Sequence, residues 1–123
     1  MPALIKANRI QEKVSGVGFD WEYKEQVWDK VTEELNELKT EISRFDEQKM
    51  EEEFGDLIFS MINAARLYGI DPETALGRSN RKFHRRFRHV ESSIKKQGRE
   101  MKDASLSEMD AHWEDAKKRE PNL

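Results

Sequence analysis

The chain has 123 residues, of which 38% are charged, a far higher fraction than in an average globular domain. This length fits a single domain over residues 1–123. The sequence has no cysteine, which excludes disulfides and thiolate metal sites. No apolar run is long enough for a membrane-spanning helix. Charge appears too early in the N-terminal segment for a signal peptide, so we expect a cytoplasmic protein.

Opposite charges are concentrated in two separate parts of the chain. Residues 33–56 hold ten acids against three bases, a net charge of −7. Residues 78–99 hold nine bases against one acid, a net charge of +8. An acidic block and a basic block within one small protein need an explanation, either as solvated surfaces or as parts of a binding site.

Helical periodicity dominates the hydrophobic pattern, and no segment alternates as a strand would. The sequence therefore predicts an all-α fold, a bundle of about five helices. In chain order, the predicted helices cover residues 2–15, 22–44, 47–68, 72–97 and a short segment after Ser105. The two tryptophans near the start of the second helix, Trp21 and Trp28, are expected in the core.

Several residues predict where these helices begin and end. Asp20 and Asp46 are candidate N-caps, and the pair Asp71-Pro72 is typical of a helix start. Gly69 and Gly98 fit the residue that follows a helix, where a left-handed conformation is common. A capping box, Ser105 to Glu108, predicts the start of the last helix.

The third predicted helix is apolar around most of its circumference, as central bundle helices are. Its polar residues fall in one narrow sector, which comprises Glu53, Asp56, Ser60 and Asn63. We expect this sector to face an internal site. Gly55, beside Asp56, is expected to allow close approach of another helix or a ligand.

The second predicted helix carries a matching set of acids. Glu34, Glu37 and Glu41 lie on the flank of its apolar face, and Lys30 precedes Glu34 by one turn. If the two helices pack side by side, four carboxylates can converge, namely those of Glu34, Glu37, Glu53 and Asp56.

Converging carboxylates destabilise a fold unless a cation or shared protons neutralise them. Hard divalent cations such as Mg²⁺ prefer carboxylate oxygens. Zinc is disfavoured because no histidine or cysteine lies among these acids, and no histidine completes the Glu-x-x-His pairs of di-iron bundles. The alternative is that the acids form an ordinary solvated surface, with Lys30 and Glu34 as a simple helical ion pair.

The basic block centres on NRKFHRRFRH, residues 80–89. With Phe83 and Phe87 facing inward, Lys82 and Arg86 lie on one flank, one turn apart. Such a pair can bind phosphate oxygens. Two alternatives stay open: a solvated helix face, and nucleic-acid binding through the outward-facing arginines, Arg81, Arg85 and Arg88.

The order and spacing of several motifs resemble one enzyme family, the MazG-type nucleoside triphosphate pyrophosphohydrolases. The carrying motifs are EELNE (33–37) and EFGD (53–56), accompanied by VGFDW (17–21), GDLIF (55–59), GIDPETAL (69–76) and NRKFHRRF (80–87). The resemblance extends from Pro2 to about Lys118. It is strongest to the C-terminal domain of two-domain MazG proteins, which are all-α enzymes of the dimeric dUTPase superfamily.

The resemblance implies Mg²⁺-dependent hydrolysis of nucleoside triphosphates to the monophosphate and pyrophosphate, by attack on the α-phosphorus. It implies that the catalytic and metal-binding residues are Glu34, Glu37, Glu53 and Asp56. It implies that the nucleotide-binding residues are Lys30, Glu33, Lys49, Lys82, Arg86, Trp113 and Lys117.

The helices are too apolar for one small monomer, so we also expect a homodimer. No membrane partner is expected, and the overall negative charge disfavours nucleic acid as a partner. A non-catalytic helical dimer, or a nucleic-acid-binding module that uses residues 78–99, remains the alternative function.

Overall fold

The computed structural model describes residues 1–120, which divide into two compact units, one over Met1–Ala75 and one that begins at Leu76. Its helices are α1 (Ala3–Gly16), α2 (Val27–Arg44), α3 (Glu47–Leu67), α4 (Pro72–Lys96) and α5 (Leu106–Arg119). Short 3₁₀ helices lie at Lys24–Gln26 and Met101–Asp103. Residues 1–120 contain no strand, which confirms the all-α prediction. Over the same residues, no helix is both long and apolar enough to cross a membrane.

Most of the predicted helix ends are confirmed. Asp46 caps α3, because its Oδ1 atom accepts a hydrogen bond from the Lys49 backbone N–H at 3.1 Å. Gly69 follows α3 with a φ of 73°, a left-handed conformation that glycine adopts without steric cost. The capping box of Ser105 and Glu108 is present at the start of α5. Local side-chain chemistry therefore sets these boundaries.

The predicted start of the second helix was wrong. Asp20 does not cap it, and α2 begins only at Val27, after a short 3₁₀ turn. The Asp20 carboxylate instead binds the Arg66 guanidinium of α3 through two hydrogen bonds of 2.7 and 3.1 Å. It also accepts hydrogen bonds from the Ser15 hydroxyl at 2.6 Å and the Trp21 backbone N–H at 2.8 Å. These bonds fasten the loop after α1 to α3.

The core of residues 1–75 is formed where α2 and α1 pack against α3. Its fully or nearly fully buried apolar residues are Val27, Leu38, Ile62 and Ala64. The expectation that Trp21 and Trp28 belong to the core was wrong, because they are 37% and 45% exposed. Trp28 instead donates its indole N–H to the Tyr68 hydroxyl at 2.9 Å. Both indoles therefore lie at the surface of this unit.

In the second unit, α4 and α5 pack against each other. Val90 and Ile94 of α4 are almost fully buried, and the ring of Phe83 lies 5.0 Å from the ring of Trp113. His89 and Asp115 form a further contact, with Nε2 and Oδ2 separated by 2.8 Å. These two units are defined by their internal contacts alone. That residues 1–123 form one domain stays a prediction.

Gly55 has an open environment in the structure. A Cβ atom built on it would meet no atom within 4 Å outside the backbone of its own helix, so no described residue makes the close approach expected there. Glycine in a helix interior costs about 1 kcal/mol relative to alanine. We therefore expect Gly55→Ala to raise the free energy of unfolding by about 1 kcal/mol, as measured by urea denaturation. Gly69→Ala is the control and should be destabilising, since its φ is 73°.

The bonds of Asp20 give the stability of the fold a defined pH dependence. Arg66, with a smaller contribution from Ser15, holds the pKa of Asp20 well below its usual range. A carboxyl group with a lowered pKa stabilises the fold above its unfolded-state pKa of about 4, and this contribution is lost as the pH falls. Because Asp20 is exposed and water screens its ion pair, Asp20→Asn should cost about 1 kcal/mol or less at pH 7.

The difference in melting temperature between the wild type and Asp20→Asn should shrink as the pH falls below about 4. Exposed Glu22→Gln is the control and should have little effect at any pH. If Asp20→Asn lowered the melting temperature equally at pH 7 and pH 3, the assigned ion pair would be contradicted.

Candidate functional site

Three carboxylates from two facing helices meet at one point. Carboxylate oxygens of Glu34, Glu37 and Glu53 all lie within 4.8 Å of one another. Glu34 and Glu37 are one turn apart on α2, and Glu53 lies on α3. Glu34 is only 6% exposed, Glu53 is half-buried and Glu37 is exposed. The structure thus brings together three of the four acids that the sequence suggested.

These carboxylates disfavour one another's ionisation. Loss of hydration, followed by the nearby charge of Glu37, raises the pKa of Glu53 to about 7. Loss of hydration and the charge of Glu34 raise the pKa of Glu37. The negative charges are therefore held closer together than their mutual repulsion favours, and a cation placed among them would relieve it.

The oxygen atoms of the cluster fit a hard divalent cation. Glu34 Oε2 and Glu53 Oε2 are buried, and neither has a hydrogen-bond partner in the described part of the chain. All three donor groups are carboxylates, the ligands that Mg²⁺ and similar cations prefer. One positive side chain adjoins them, since Lys30 Nζ lies 2.9 Å from Glu34 Oε1. That ion pair raises the pKa of Lys30.

Asp56 is not one of the three clustered residues, but it lies next to them. It is exposed on α3, three residues after Glu53, and its charge contributes to the raised pKa of Glu53. Glu41, which shares the acidic flank of α2 in sequence, is paired instead with Arg44, at 3.4 Å. The cluster is therefore centred on Glu34, Glu37 and Glu53.

A cavity of about 610 Å³ adjoins the cluster, and both Glu34 of the cluster and the neighbouring Asp56 lie in its wall. Its walls come from α1, α2, α3 and the loop that carries Trp21. The apolar and aromatic side chains that line it are Ile10, Val14, Phe19, Trp21, Val27 and Phe59. A mostly apolar cavity next to a charged cluster has the composition of a small-molecule site.

Three predicted nucleotide-binding residues belong to the first unit, namely Lys30, Glu33 and Lys49. Lys30 bridges Glu33, at 3.5 Å, and Glu34. Lys49 is exposed in the first turn of α3. Of these side chains, Lys30 is the one that the structure holds directly against the carboxylate cluster.

In the second unit, Arg86 is held by a carboxylate. Its guanidinium donates two hydrogen bonds to Glu120, at 2.8 and 2.9 Å, and lies 5.6 Å from the ring centre of Trp113. Lys82 is exposed on α4, and Lys117 lies 3.8 Å from Glu114. Arg86 therefore already shows the bidentate geometry that binds carboxylate or phosphate oxygens.

Three residues that shape the cavity were not predicted from the sequence: Gln11, Arg66, and Asp20 as the partner of Arg66. Gln11 had a detectable signal, because it is a polar residue seven positions after Leu4 and three before Val14, on the same helical face. The pairing of Asp20 with Arg66 had no detectable signal in the sequence, because 46 residues separate them.

Comparison with known proteins gives a consistent result. Residues 23–91 match the MazG nucleotide pyrophosphohydrolase domain. The nucleoside triphosphate pyrophosphohydrolase/pyrophosphatase MazG of Thermotoga maritima is 46% identical over 95% of this chain and 45% of its own length. The nucleoside triphosphate pyrophosphohydrolase of Escherichia coli K12 is 42% identical over 100% of this chain and 48% of its own.

A third relative, the uncharacterized protein YabN of Bacillus subtilis, is 46% identical over 60% of this chain and 15% of its own length. The chain thus spans about half the length of the first two relatives. The matched residues include α2, α3 and the carboxylate cluster that these helices form. The chain belongs to the MazG nucleotide pyrophosphohydrolase domain family.

Proposed function

We propose that this chain hydrolyses nucleoside triphosphates to nucleoside monophosphates and pyrophosphate in a Mg²⁺-dependent reaction. The observation that carries the proposal is the cluster of Glu34, Glu37 and Glu53, whose oxygens lie within 4.8 Å of one another. The names of the two long relatives, both nucleoside triphosphate pyrophosphohydrolases, support the same reaction.

The proposed Mg²⁺ ligands are Glu34, Glu37, Glu53 and Asp56. Two of them have buried oxygens without a hydrogen-bond partner among residues 1–120, and the donor set is carboxylate throughout. Bound Mg²⁺ would offset the negative charge that develops on the phosphate oxygens.

In the proposed reaction, the oxygen of a water molecule bonds to the α-phosphorus as the bond from this phosphorus to the bridging oxygen breaks. The water proton passes to a carboxylate of the cluster, and pyrophosphate leaves with the bridging oxygen. The positive charges proposed to bind the triphosphate are those of Lys30, Lys49, Lys82 and Arg86. Glu33, Trp113 and Lys117 complete the proposed nucleotide-binding set.

We further propose that the chain acts as a homodimer in the cytoplasm. Support for the dimer comes from large apolar side chains at the surface of the first unit. Phe54, Ile58 and Met61 of α3 are 50%, 53% and 46% exposed, and Leu35 and Ile42 of α2 are 37% and 43% exposed. A second copy packed on this face would remove them from water.

The decisive substitution for the reaction is Glu53→Gln. It keeps the size of the side chain but removes one of the charges that hold the cation. We expect pyrophosphate release to fall by on the order of 100-fold or more. The melting temperature without metal should stay the same or rise, because a repelling charge is removed. Mg²⁺ should raise the melting temperature of the wild type much more than that of the variant.

Glu52→Gln is the matched control, because Glu52 is the exposed neighbour of Glu53 on α3. It should retain both pyrophosphate release and the effect of Mg²⁺. Unchanged pyrophosphate release in Glu53→Gln would refute the proposed role of the cluster. Release of orthophosphate instead of pyrophosphate by the wild type would place the cleaved bond elsewhere in the triphosphate.

The dimer is tested by placing a charge on the exposed face of α3. Ile58→Lys should shift the mass measured by light scattering from dimer to monomer, because a buried lysine would disfavour the interface. Leu106→Lys, at a residue of α5 that is 73% exposed, is the control and should remain dimeric. A wild type that is monomeric at all concentrations would contradict the proposed dimer.

A further inference from the structure

Arg86 of α4, one of the side chains proposed to bind the triphosphate, is fixed on two sides by residues of the second unit. Its Nε and Nη2 atoms donate hydrogen bonds to the two carboxylate oxygens of Glu120, at 2.8 and 2.9 Å. One face of its guanidinium lies over the ring of Trp113, 5.6 Å from the ring centre. The Arg86 side chain is only 16% exposed, so protein contacts have replaced most of its hydration.

The other side of the same guanidinium is open. An arginine has five N–H donors in a planar fork, and Glu120 takes one donor from Nε and one from Nη2. The Nη1 atom has no hydrogen-bond partner among residues 1–120, and it is not a buried atom. The two N–H groups of Nη1 are therefore accessible to phosphate oxygens, which arginine binds well.

Glu120 is held by charge and not by helix geometry. It lies directly after α5, which ends at Arg119, and its backbone is extended, with φ of −69° and ψ of 138°. Arg85 Nη2 lies 3.4 Å from its Oε1 atom, and the hydrogen bonds from Arg86 lower the pKa of Glu120. Glu120 is therefore a carboxylate at neutral pH, and two guanidinium groups balance its charge.

This carboxylate has two opposing effects on the binding of a phosphate chain. It repels the phosphate, but the two arginines already balance its charge, and water screens exposed ion pairs. It also prevents the long side chain of Arg86 from rotating away. Immobilising such a side chain in advance favours binding by about threefold to tenfold, so we expect the orienting effect to be the larger one.

We propose that Glu120 is a positioning residue, which holds the Arg86 guanidinium so that its free N–H groups can bind the phosphate chain of the substrate. This inference rests on the proposed function and deepens it, because it adds a residue that acts on the triphosphate only through Arg86. Trp113 supports the same orientation from the face of the guanidinium.

Glu120→Asp is the decisive variant, because it keeps the negative charge but shortens the side chain by one methylene group. The shorter carboxylate should lose at least one of its two bonds to Arg86. Calorimetry in the presence of Mg²⁺ measures the Kd of inorganic tripolyphosphate, which has no sugar or base and so reports phosphate contacts alone. The Kd should rise about threefold to tenfold. Glu120→Ala, which removes the carboxylate, should weaken binding at least as much.

The effect of Glu120 should depend on Arg86. In an Arg86→Ala background, Glu120→Asp should change the Kd by less than about twofold, because no guanidinium is left to hold. Kinetics provide a second measurement, with the nucleoside triphosphate that the wild type cleaves fastest. Its KM should rise in Glu120→Asp with a smaller change in kcat, because Arg86 contacts the triphosphate both before and during the reaction.

Asp115→Asn is the matched control for a general loss of packing between α4 and α5. Asp115 is another carboxylate of α5 that contacts α4, since its Oδ2 atom lies 2.8 Å from His89 Nε2. Its polar partners among residues 1–120 are His89 and Arg119, and not Arg86. This variant should lower the melting temperature but leave the Kd of tripolyphosphate unchanged.

Tighter binding in either Glu120 variant would show that the carboxylate competes with phosphate for Arg86, and it would overturn the proposal. An unchanged Kd in Glu120→Asp, the same loss in the Arg86→Ala background, or an equal loss in Asp115→Asn would overturn it too. So would a wild type that does not bind tripolyphosphate.

The same measurements separate this proposal from the proposed function. A wild type that binds tripolyphosphate in a manner that depends on Glu120 and Arg86, but releases no pyrophosphate, would leave the positioning role intact and refute the reaction. Normal pyrophosphate release, combined with a Kd that ignores Glu120, would leave the reaction intact and refute the positioning role.

Discussion

The crowding of Glu34, Glu37 and Glu53 is the constraint on which the proposed site depends. Their oxygens lie within 4.8 Å of one another, and like charges at such distances oppose the packing that brings them together. Packing between α2 and α3 must therefore supply the opposing free energy, through buried apolar residues such as Leu38 and Ile62. A cation would offset much of this repulsion, so metal binding would stabilise the packing of α2 against α3.

The connection between α2 and α3 decides which acids face each other. Only Phe45 and Asp46 lie between Arg44 and Glu47, and Phe45 makes the sharp turn in a left-handed conformation with φ of 59°. At about 1.5 Å per helical residue, Glu37 and Glu53 lie at nearly the same height above this turn, roughly 10 Å. One inserted residue would rotate an acid by about 100° around its helix axis and separate the cluster.

Local chemistry and helical periodicity were sufficient to predict most of the fold. The five helices and the caps at Asp46 and Ser105 follow from short segments of sequence. The start of α2 was mispredicted because Asp20 is a good local cap but has a stronger partner, Arg66, 46 residues away. Trp28 was mispredicted because burial in a small helical unit depends on which neighbours are present, which periodicity does not specify.

The candidate site was predictable to a similar degree. The acids at 34, 37 and 53 could be placed together because each is fixed by its helical phase relative to an apolar face. The unpaired oxygen of Gln11 could not be predicted from the sequence, because it depends on the position of one backbone carbonyl, that of Phe59. Sequence patterns thus predicted the charged cluster, whereas the lining of the adjoining cavity required the three-dimensional structure.

The polar sector of α3 begins at the cluster with Glu53 and continues along the cavity wall with Asp56, Ser60 and Asn63. At its C-terminal end the polar groups are satisfied within the chain: Ser60 donates to the Leu57 carbonyl at 2.7 Å, and Asn63 accepts from Arg66. At its N-terminal end, Glu53 keeps a buried oxygen without a partner in the described residues. Across the cavity, Gln11 keeps another. Because a fold generally pairs its buried polar atoms, this contrast supports the proposal that a cation binds at the acids.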